Sequence, residues 1–333
     1  VSRPIHLAFL GCGYITRVHS RNLRKLRGDI VCSYASRDLS KAESFKTQYR
    51  GVSAFGSYDA AIENADVDAV VVAVPPKFHT ELTLQALAAG KHVVVEKPAF
   101  PTMADYQVVQ AARDAAGRVV IIGENDHYKP LAVRLRQLLA DEEIGDMLFG
   151  HFTTLAKMPK KADDWRNDEV MACGDAFFEE GIHWLHIAGS LGPKIVTIQG
   201  YRPPPRLEGP DRRLRSMLVA FQYDNGAAGA LYYSREVPSL LRGLRWSKLF
   251  GRDGIITFES NGIFILVRGK RGLPRVQFPG FRDIRGYQAM YRDFARAIRS
   301  GGQPEMSLER AMEDQALMDQ VYGGLPPPIR GGC

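Results

Sequence analysis

Cysteine is scarce in this chain. The 333 residues hold four, Cys12, Cys32, Cys173 and Cys333, spaced so widely that no CxxC pair arises. This spacing excludes a zinc ribbon or a disulfide-stapled scaffold and makes reduced, mostly buried thiols the expectation. Long hydrophobic runs are missing too. The apolar stretches are short, such as Ala69 to Val74, and none reaches the ~18 residues that a membrane-spanning helix requires. The amino terminus passes from Ser2, Arg3 and Pro4 straight into an apolar stretch with no signal-peptide pattern, so a cytoplasmic location is expected. Negative charge is in deficit: 37 Asp and Glu face 44 Lys and Arg, a formal charge of +7. The basic clusters, among them Arg212, Arg213 and Arg215, then Arg242 and Arg245, carry no interleaved aromatics, and no helix-turn-helix or zinc-finger pattern accompanies them. Nucleic acid is therefore not an expected partner. A solvated basic face, or a mild field for an anionic cofactor, accounts for the excess. Internal repeats and long low-complexity segments are absent, and only the tail from Pro326 to Cys333 has a frayed composition.

What is present is globular composition, 45% hydrophobic and 24% charged, in a chain too long for one ordinary core. Two domains are expected, at 1–124 and 125–333. The first opens with an apolar strand, Ile5 to Leu10, followed at once by Gly11-Cys12-Gly13-Tyr14-Ile15-Thr16 and a stretch of helical pattern to about Leu26. Strand, glycine turn and helix in that order suit a dinucleotide. The first glycine permits the tight turn, the second lets the backbone approach a pyrophosphate, and the helix N-terminus offers unpaired N–H groups to the anion. Gly11, Gly13, Tyr14 and Ile15 are the expected contacts, and Thr16 takes the place of a third glycine. A second strand, Asp29 to Ala35, ends in Ser36-Arg37-Asp38. NAD sites usually carry an acidic residue there, ~20 residues past the glycines, to hold the ribose 2′-hydroxyl. Ser36 and Arg37, assisted by Lys41, instead suit a 2′-phosphate, so NADP is the preferred cofactor and NAD the alternative. Two features leave that choice open: Arg37 stacking on adenine alone, and Asp38 turning inward.

Further βα units follow: the Val/Ala run Asp68 to Val74, a stop at Pro75-Pro76, a helix over Thr80 to Ala89, a strand His92 to Val95, a helix from Met103 to Ala116 and a strand Arg118 to Ile122. This alternation predicts a doubly wound parallel sheet of Rossmann type. Its ligands lie at the carboxyl ends of the strands, where Gly11, Ser36, Pro75 and Glu96 fall. From about Phe149 the pattern becomes a series of strands, with hairpin signals at Asp224-Asn225-Gly226 and Asn261-Gly262. That predicts an α+β second domain with a large open, mostly antiparallel sheet.

Gly11-x-Gly13, Pro75 with His79, and Ala89-Gly90-Lys91-His92-Val93 leading into Glu96-Lys97-Pro98 resemble the glucose–fructose oxidoreductase/inositol dehydrogenase family (Gfo/Idh/MocA). The resemblance continues through Pro130, Ile144-Gly145-Asp146, Trp165-Arg166 and Glu179-x-Gly181-x-His183 to the helical region Tyr287 to Ser300. It implies an NAD(P)-dependent oxidoreductase acting on a sugar, a cyclitol or a related small molecule, assembled as a homodimer or homotetramer through the open sheet. It places Lys97 where a carbonyl is polarised, adds Pro75, His79, Glu96 and Lys97 to the cofactor site, and puts Tyr128, Trp165, Arg166, Asp175 and His186 at the substrate. His183 is the expected acid/base, with Glu179, four residues earlier on the same helix face, fixing its tautomer. The chain departs from the family at Cys173-Gly174-Asp175, at Glu179 and at His186. Asp175 is an added carboxylate suited to a substrate amino group. Glu179, His183 and His186 together also suggest a divalent metal, but the spacing is not HExxH, so no metal is expected. Two rival readings are a non-catalytic cofactor-binding regulator and an NAD-dependent glycosidase of the same family.

Overall fold

The computed structural model describes residues 3–157, 164–203, 215–238, 245–270 and 272–325. Arg212, Arg213, Arg242, Cys333 and the tail from Pro326 lie outside them. The chain divides into two compact units, Val1–Glu124 with Tyr287–Met312, and Asn125–Gly286 with Glu313–Cys333.

The first unit is built on β1 (Ile5–Leu10), α1 (Tyr14–Leu23), β2 (Ile30–Ala35), α2 (Leu39–Tyr49), β3 (Ala54–Phe55), α3 (Tyr58–Ile62), β4 (Ala69–Val72), α4 (His79–Ala88), β5 (His92–Val95), α5 (Met103–Ala116) and β6 (Val120–Ile122). All six strands are parallel, in the order β3-β2-β1-β4-β5-β6. The order reverses at β1, which makes the carboxyl end of β1 the switch point where a doubly wound sheet opens a crevice. Every residue of β1 and β4 is buried, as unbroken apolar strands covered on both faces must be. Tyr14 and Ile15 open α1 over the buried Thr16, whose hydroxyl donates to the Gly11 carbonyl at 2.7 Å. This bond ties the helix start to the strand end where a third glycine is missing. The strand β3 and helix α3 are too short to leave a periodic signal in the sequence.

The second unit holds α6 (Pro130–Ala140), β7 (Met147–Leu155), α7 (Glu169–Ala172), α8 (Ile182–Gly189), then β8 (Ile195–Tyr201), β9 (Ser216–Tyr223), β10 (Ala228–Ser234), β11 (Trp246–Gly251), β12 (Gly254–Glu259), β13 (Ile265–Arg268) and β14 (Arg275–Gln277). These eight strands form one sheet, β14-β13-β12-β11-β7-β10-β9-β8, antiparallel except where β7 runs parallel to β10. Alternation puts Met217, Val219, Phe221 and Tyr223 of β9 on the inner face, against Leu135, Leu185 and Ile187 of the helices. The opposite face exposes Phe149, Val196, Tyr232, Trp246 and Leu266.

Two further helices follow among the described residues, α9 (Tyr287–Ser300) and α10 (Leu308–Gly323). The sequence assigns this region wholly to the second domain. In the structure Tyr287–Met312 belongs with the first unit, where the Ile122 N–H donates to the Met306 carbonyl at 3.2 Å and Arg113 pairs with Glu309 at 2.7 Å. Cys12 and Cys32 are free thiols, whereas Cys173 is disulfide-bonded, against the expectation of reduced cysteines.

Candidate functional site

The glycine turn of the first unit fits a dinucleotide. Gly11 sits at φ +109°, and a Cβ there would lie 2.5 Å from the Ala73 carbonyl oxygen, so no other residue is accommodated. Gly13 is the N-cap of α1 with an ordinary φ of −99°, yet a Cβ on it would meet nothing within 4 Å. The backbone is therefore bare where a pyrophosphate approaches, and the first turn of α1 carries no acidic side chain to repel it.

At the end of β2, Ser36 is buried and its hydroxyl accepts the Asp38 N–H at 3.2 Å. Asp38 is the N-cap of α2: one carboxylate oxygen accepts the N–H and hydroxyl of Ser40 at 3.0 and 2.7 Å. It is thus committed to the helix. Arg37 and Lys41 are exposed, and neither forms an ion pair among the described residues. Their fields reach inward. Burial pushes the Tyr58 hydroxyl up, with Arg37 opposing, and burial pushes the Cys12 thiol up to about 11, with Lys41 opposing. Two cations thus stand around the strand end and the glycine turn.

Pro75 caps the short turn after β4. His79 and Glu96, which the sequence places among the cofactor contacts, are buried and face protein partners instead. The His79 Nδ1 lies 2.9 Å from the Ala99 carbonyl and its Nε2 2.8 Å from that of Val74, so the ring braces the loop after β4 against the loop after β5. Burial lowers its pKa, against the pull of those carbonyls. Glu96 lies 2.7 Å from Nε2 of His19, a residue of α1, and Nδ1 of His19 is 2.5 Å from the Tyr291 hydroxyl of α9. Burial works to raise the Glu96 pKa, but His19, Lys97 and His79 outweigh it and hold the carboxylate below its usual range. Half-buried Lys97 therefore stands beside a fixed negative charge at the carboxyl edge of the sheet.

In the second unit, the polar turn Asn125–Tyr128 packs against α8. Asp126 is buried and pairs with Lys129 at 2.6 Å. Burial raises its pKa, and Lys129 and His183 more than reverse that, so it is ionised below the usual range. Asp126 is therefore a carboxylate next to His183. Glu179 turns elsewhere: one oxygen lies 3.1 Å from Arg166 Nε and the other 2.6 Å from Arg235. The physical reason is local. Phe177–Gly181 is a π-helical turn, which breaks the α-helical i,i+4 correspondence between Glu179 and His183. Trp165 and Arg166 belong to the same ionic cluster, the guanidinium lying 4.5 Å from the indole centroid.

Asp175 and His186 also differ from expectation. One Asp175 oxygen accepts the N–H groups of Phe177 and Phe178 at 2.9 and 3.0 Å and the Tyr322 hydroxyl at 2.6 Å. The other is 3.0 Å from Arg202. It caps the π turn and neutralises a buried arginine, which leaves no reason for a substrate amine. His186 is fully buried, between Nδ1 of His127 at 2.9 Å and Asp314 at 2.7 Å, so it has no surface to offer a substrate. Tyr128 is buried edge-on to His127. Sequence reasoning missed His19, Asp126, His127 and Asp314. The strand-end rule points to Asp126 and His127, which follow β6, but His19 and Asp314 are reached only through long-range contacts.

A six-stranded parallel sheet with this glycine turn is the cofactor domain of a nicotinamide-dinucleotide oxidoreductase. Comparison with known proteins agrees. The family described as "Oxidoreductase family, NAD-binding Rossmann fold" matches residues 5–124, and the "GFO/IDH/MocA C-terminal domain" matches residues 132–257. The chain belongs to the Gfo/Idh/MocA family of oxidoreductases. A 1-carboxy-3-chloro-3,4-dihydroxycyclohexa-1,5-diene dehydrogenase of Comamonas testosteroni is 27% identical over 59% of the chain and 49% of its own length, so the match spans about half of that relative. D-xylose 1-dehydrogenase (NADP(+)) 2 of Haloferax volcanii is 25% identical over 88% of both chains. The crystal structure of an aldose-aldose oxidoreductase from Caulobacter crescentus superposes with a TM-score of 0.85 at 21% identity, covering 98% of this chain and 100% of that one, which shows the shared fold. Among the described residues no helix is long and apolar enough to cross a membrane.

Proposed function

We propose that the protein is an NADP-preferring dehydrogenase or reductase that moves a hydride between nicotinamide and a carbinol or carbonyl carbon of a sugar, cyclitol or related polyol. The observation that carries this reading is Lys97, half-buried beside the ionised Glu96 at the edge of a sheet whose glycine turn is shaped for a dinucleotide. When bound, the cofactor supplies the hydride acceptor or donor. The residues of the chain do the rest. The Lys97 ammonium polarises the carbonyl oxygen, beside Glu96, which is itself held by His19. His183 takes or returns the hydroxyl proton, with ionised Asp126 next to it.

Preference for the 2′-phosphate rests on Arg37 and Lys41, with Asp38 withdrawn into the cap of α2. The NADP(+) in the name of the Haloferax volcanii relative supports it. The exposed apolar face of the second sheet is proposed as the contact between copies of the chain, giving a homodimer or homotetramer.

The test is turnover of a panel of sugars and polyols, read by nicotinamide absorbance, for the wild type, Lys97→Ala and His183→Ala. Loss of about 10²–10⁴-fold in each variant, with cofactor affinity within about tenfold, is expected. Near-normal rates in Lys97→Ala would remove it from the chemistry.

A further inference from the structure

The amino ends of the parallel strands, away from the glycine turn, border a cavity of about 400 Å³. Arg3 lines it from before β1, Asp68 from before β4, Lys91 and His92 from the start of β5, Arg118 from before β6 and Arg299 from α9. The length of β1 separates this cavity from the turn by about 20 Å, at ~3.3 Å per residue. Its volume falls in the ~300–1,000 Å³ range of small-molecule sites.

Charge in the cavity does not balance. Among these six side chains only Asp68 is acidic, and Arg3 takes both its oxygens, at 2.6 and 2.7 Å. Arg299 pairs with Asp29 at 2.9 Å. Lys91 and Arg118 have no carboxylate of their own among the described residues. The buried Lys91 ammonium donates to two neutral carbonyls, those of Asn64 and Val67, each at 2.8 Å. One of its three N–H groups is left over. The Arg118 guanidinium is exposed and forms neither a side-chain hydrogen bond nor an ion pair among the described residues. It stands over Gly90, where a Cβ would lie 3.5 Å from one of its terminal nitrogens. Half-buried His92 adds a neutral donor. Its Nδ1 accepts the Val119 N–H at 3.0 Å, so in the neutral ring the hydrogen is on Nε2, for which the described residues supply no acceptor. Burial lowers the Lys91 pKa against the pull of Asp68, and Arg118 adds to the drop. Two cations thus stand together without a counter-charge, and a bound anion relieves that.

We propose that this cavity is a second anion site, which takes the phosphate group of a small molecule on Arg118, Lys91 and His92. A phosphate carries about −1.5 to −2 charges at neutral pH, which matches the two unbalanced cations, whereas a carboxylate supplies only half as much. Its oxygens accept guanidinium, ammonium and imidazole N–H groups together. The site goes beyond the oxidoreductase reading and does not depend on it. It lies at the other end of the sheet from the turn that suits a dinucleotide, so the two ligands do not compete for one place.

The experiment titrates the full chain with inorganic phosphate by calorimetry at neutral pH, with NADPH present and sodium chloride holding the ionic strength constant. The wild type is expected to bind with a Kd of about 1 mM or tighter. Arg118→Ala is expected to weaken binding at least about tenfold, the loss of a charge-assisted hydrogen bond. Urea melts of that variant should match the wild type, which separates lost binding from lost fold. A parallel titration of ¹⁵N-histidine-labelled chain locates the ion: the His92 ring signals shift with the same midpoint in the wild type and stay put in Arg118→Ala. The absence of binding in the wild type overturns the site. So does binding that survives Arg118→Ala but falls in Arg37→Ala, which puts the phosphate at the cofactor's end of the sheet. Glycerol 3-phosphate and glycerol, run beside it, identify the source. Tighter binding of the ester assigns the site to an organic phosphate and equal or weaker binding to the free ion, while binding of glycerol itself overturns the anion reading.

Discussion

Gly11 and Gly13 lie two residues apart in the same turn, but the structure assigns them opposite duties, and paired alanine substitutions separate them. A Cβ at Gly11 must occupy a backbone at φ +109° and lie 2.5 Å from the Ala73 carbonyl oxygen. The backbone conformation costs about 1–3 kcal/mol, and relieving the contact costs a similar amount. Gly11→Ala is therefore expected to destabilise the first unit by about 2–6 kcal/mol with no ligand present, a large share of the ~5–15 kcal/mol that holds a domain together. Gly13→Ala meets nothing within 4 Å and needs no unusual φ. Its penalty without ligand is only the weaker N-cap, less than about 1 kcal/mol. Once a pyrophosphate is present the same methyl stands in its way, and the loss becomes at least about tenfold in affinity, or ~1.4 kcal/mol. The assays are urea denaturation of each variant without cofactor, and titration of each with NADPH. Equal destabilisation by the two substitutions, or wild-type NADPH affinity in Gly13→Ala, refutes the division of labour.

Four further outcomes follow from the structure. Arg37→Ala is expected to weaken NADPH binding by about 1.5–3 kcal/mol, the range for hydrogen bonds to charged groups, with NADH affinity little changed; equal losses reduce Arg37 to an adenine platform. Asp175→Ala strips the cap from the π turn and takes the carboxylate away from Arg202, so about 3 kcal/mol of stability should disappear in denaturant melts, whereas a substrate-only role predicts none. Burial and Arg118 hold the His92 pKa down to about 4, and its Nδ1 accepts the Val119 N–H at 3.0 Å. The unfolded chain binds that proton near 6.5 and the folded chain only near 4, so stability that is full above 6.5 is lost as pH falls through this window. His92→Gln should remove about 1–2 kcal/mol of that loss, after allowance for solvent screening, and an unchanged acid-denaturation curve contradicts it. Finally, Tyr232→Glu on the open sheet face should shift sedimentation toward the monomer if that face joins copies of the chain, and an unshifted boundary argues against it.

The legible parts of the fold were those with local causes. The Val run of β4, the glycine turn and the Asp224-Asn225-Gly226 hairpin each specify an element within a few residues, and all three stand where the sequence puts them. At the site the local logic runs out. The spacing of Glu179 and His183 is read correctly only if the helix between them is α, and nothing in Phe177–Gly181 announces a π turn. Asp175 reads as a spare charge until Arg202 and Tyr322 are brought to it from 27 and 147 residues away. His19 reads as one more polar residue on α1, because its partners are Glu96 and, 272 residues along, Tyr291.

The return of Tyr287–Met312 to the first unit has a practical meaning for anyone who would move or dissect this cofactor domain. A single cut after Glu124 delivers the whole parallel sheet but strands the Ile122 amide without the Met306 carbonyl, Arg113 without Glu309 and the His19 ring without the Tyr291 hydroxyl. A graft or a minimal fragment must carry two pieces of polypeptide, one from either side of the Asn125–Gly286 segment. During synthesis, too, the first unit stays unfinished until Asn125–Gly286 of the second has emerged.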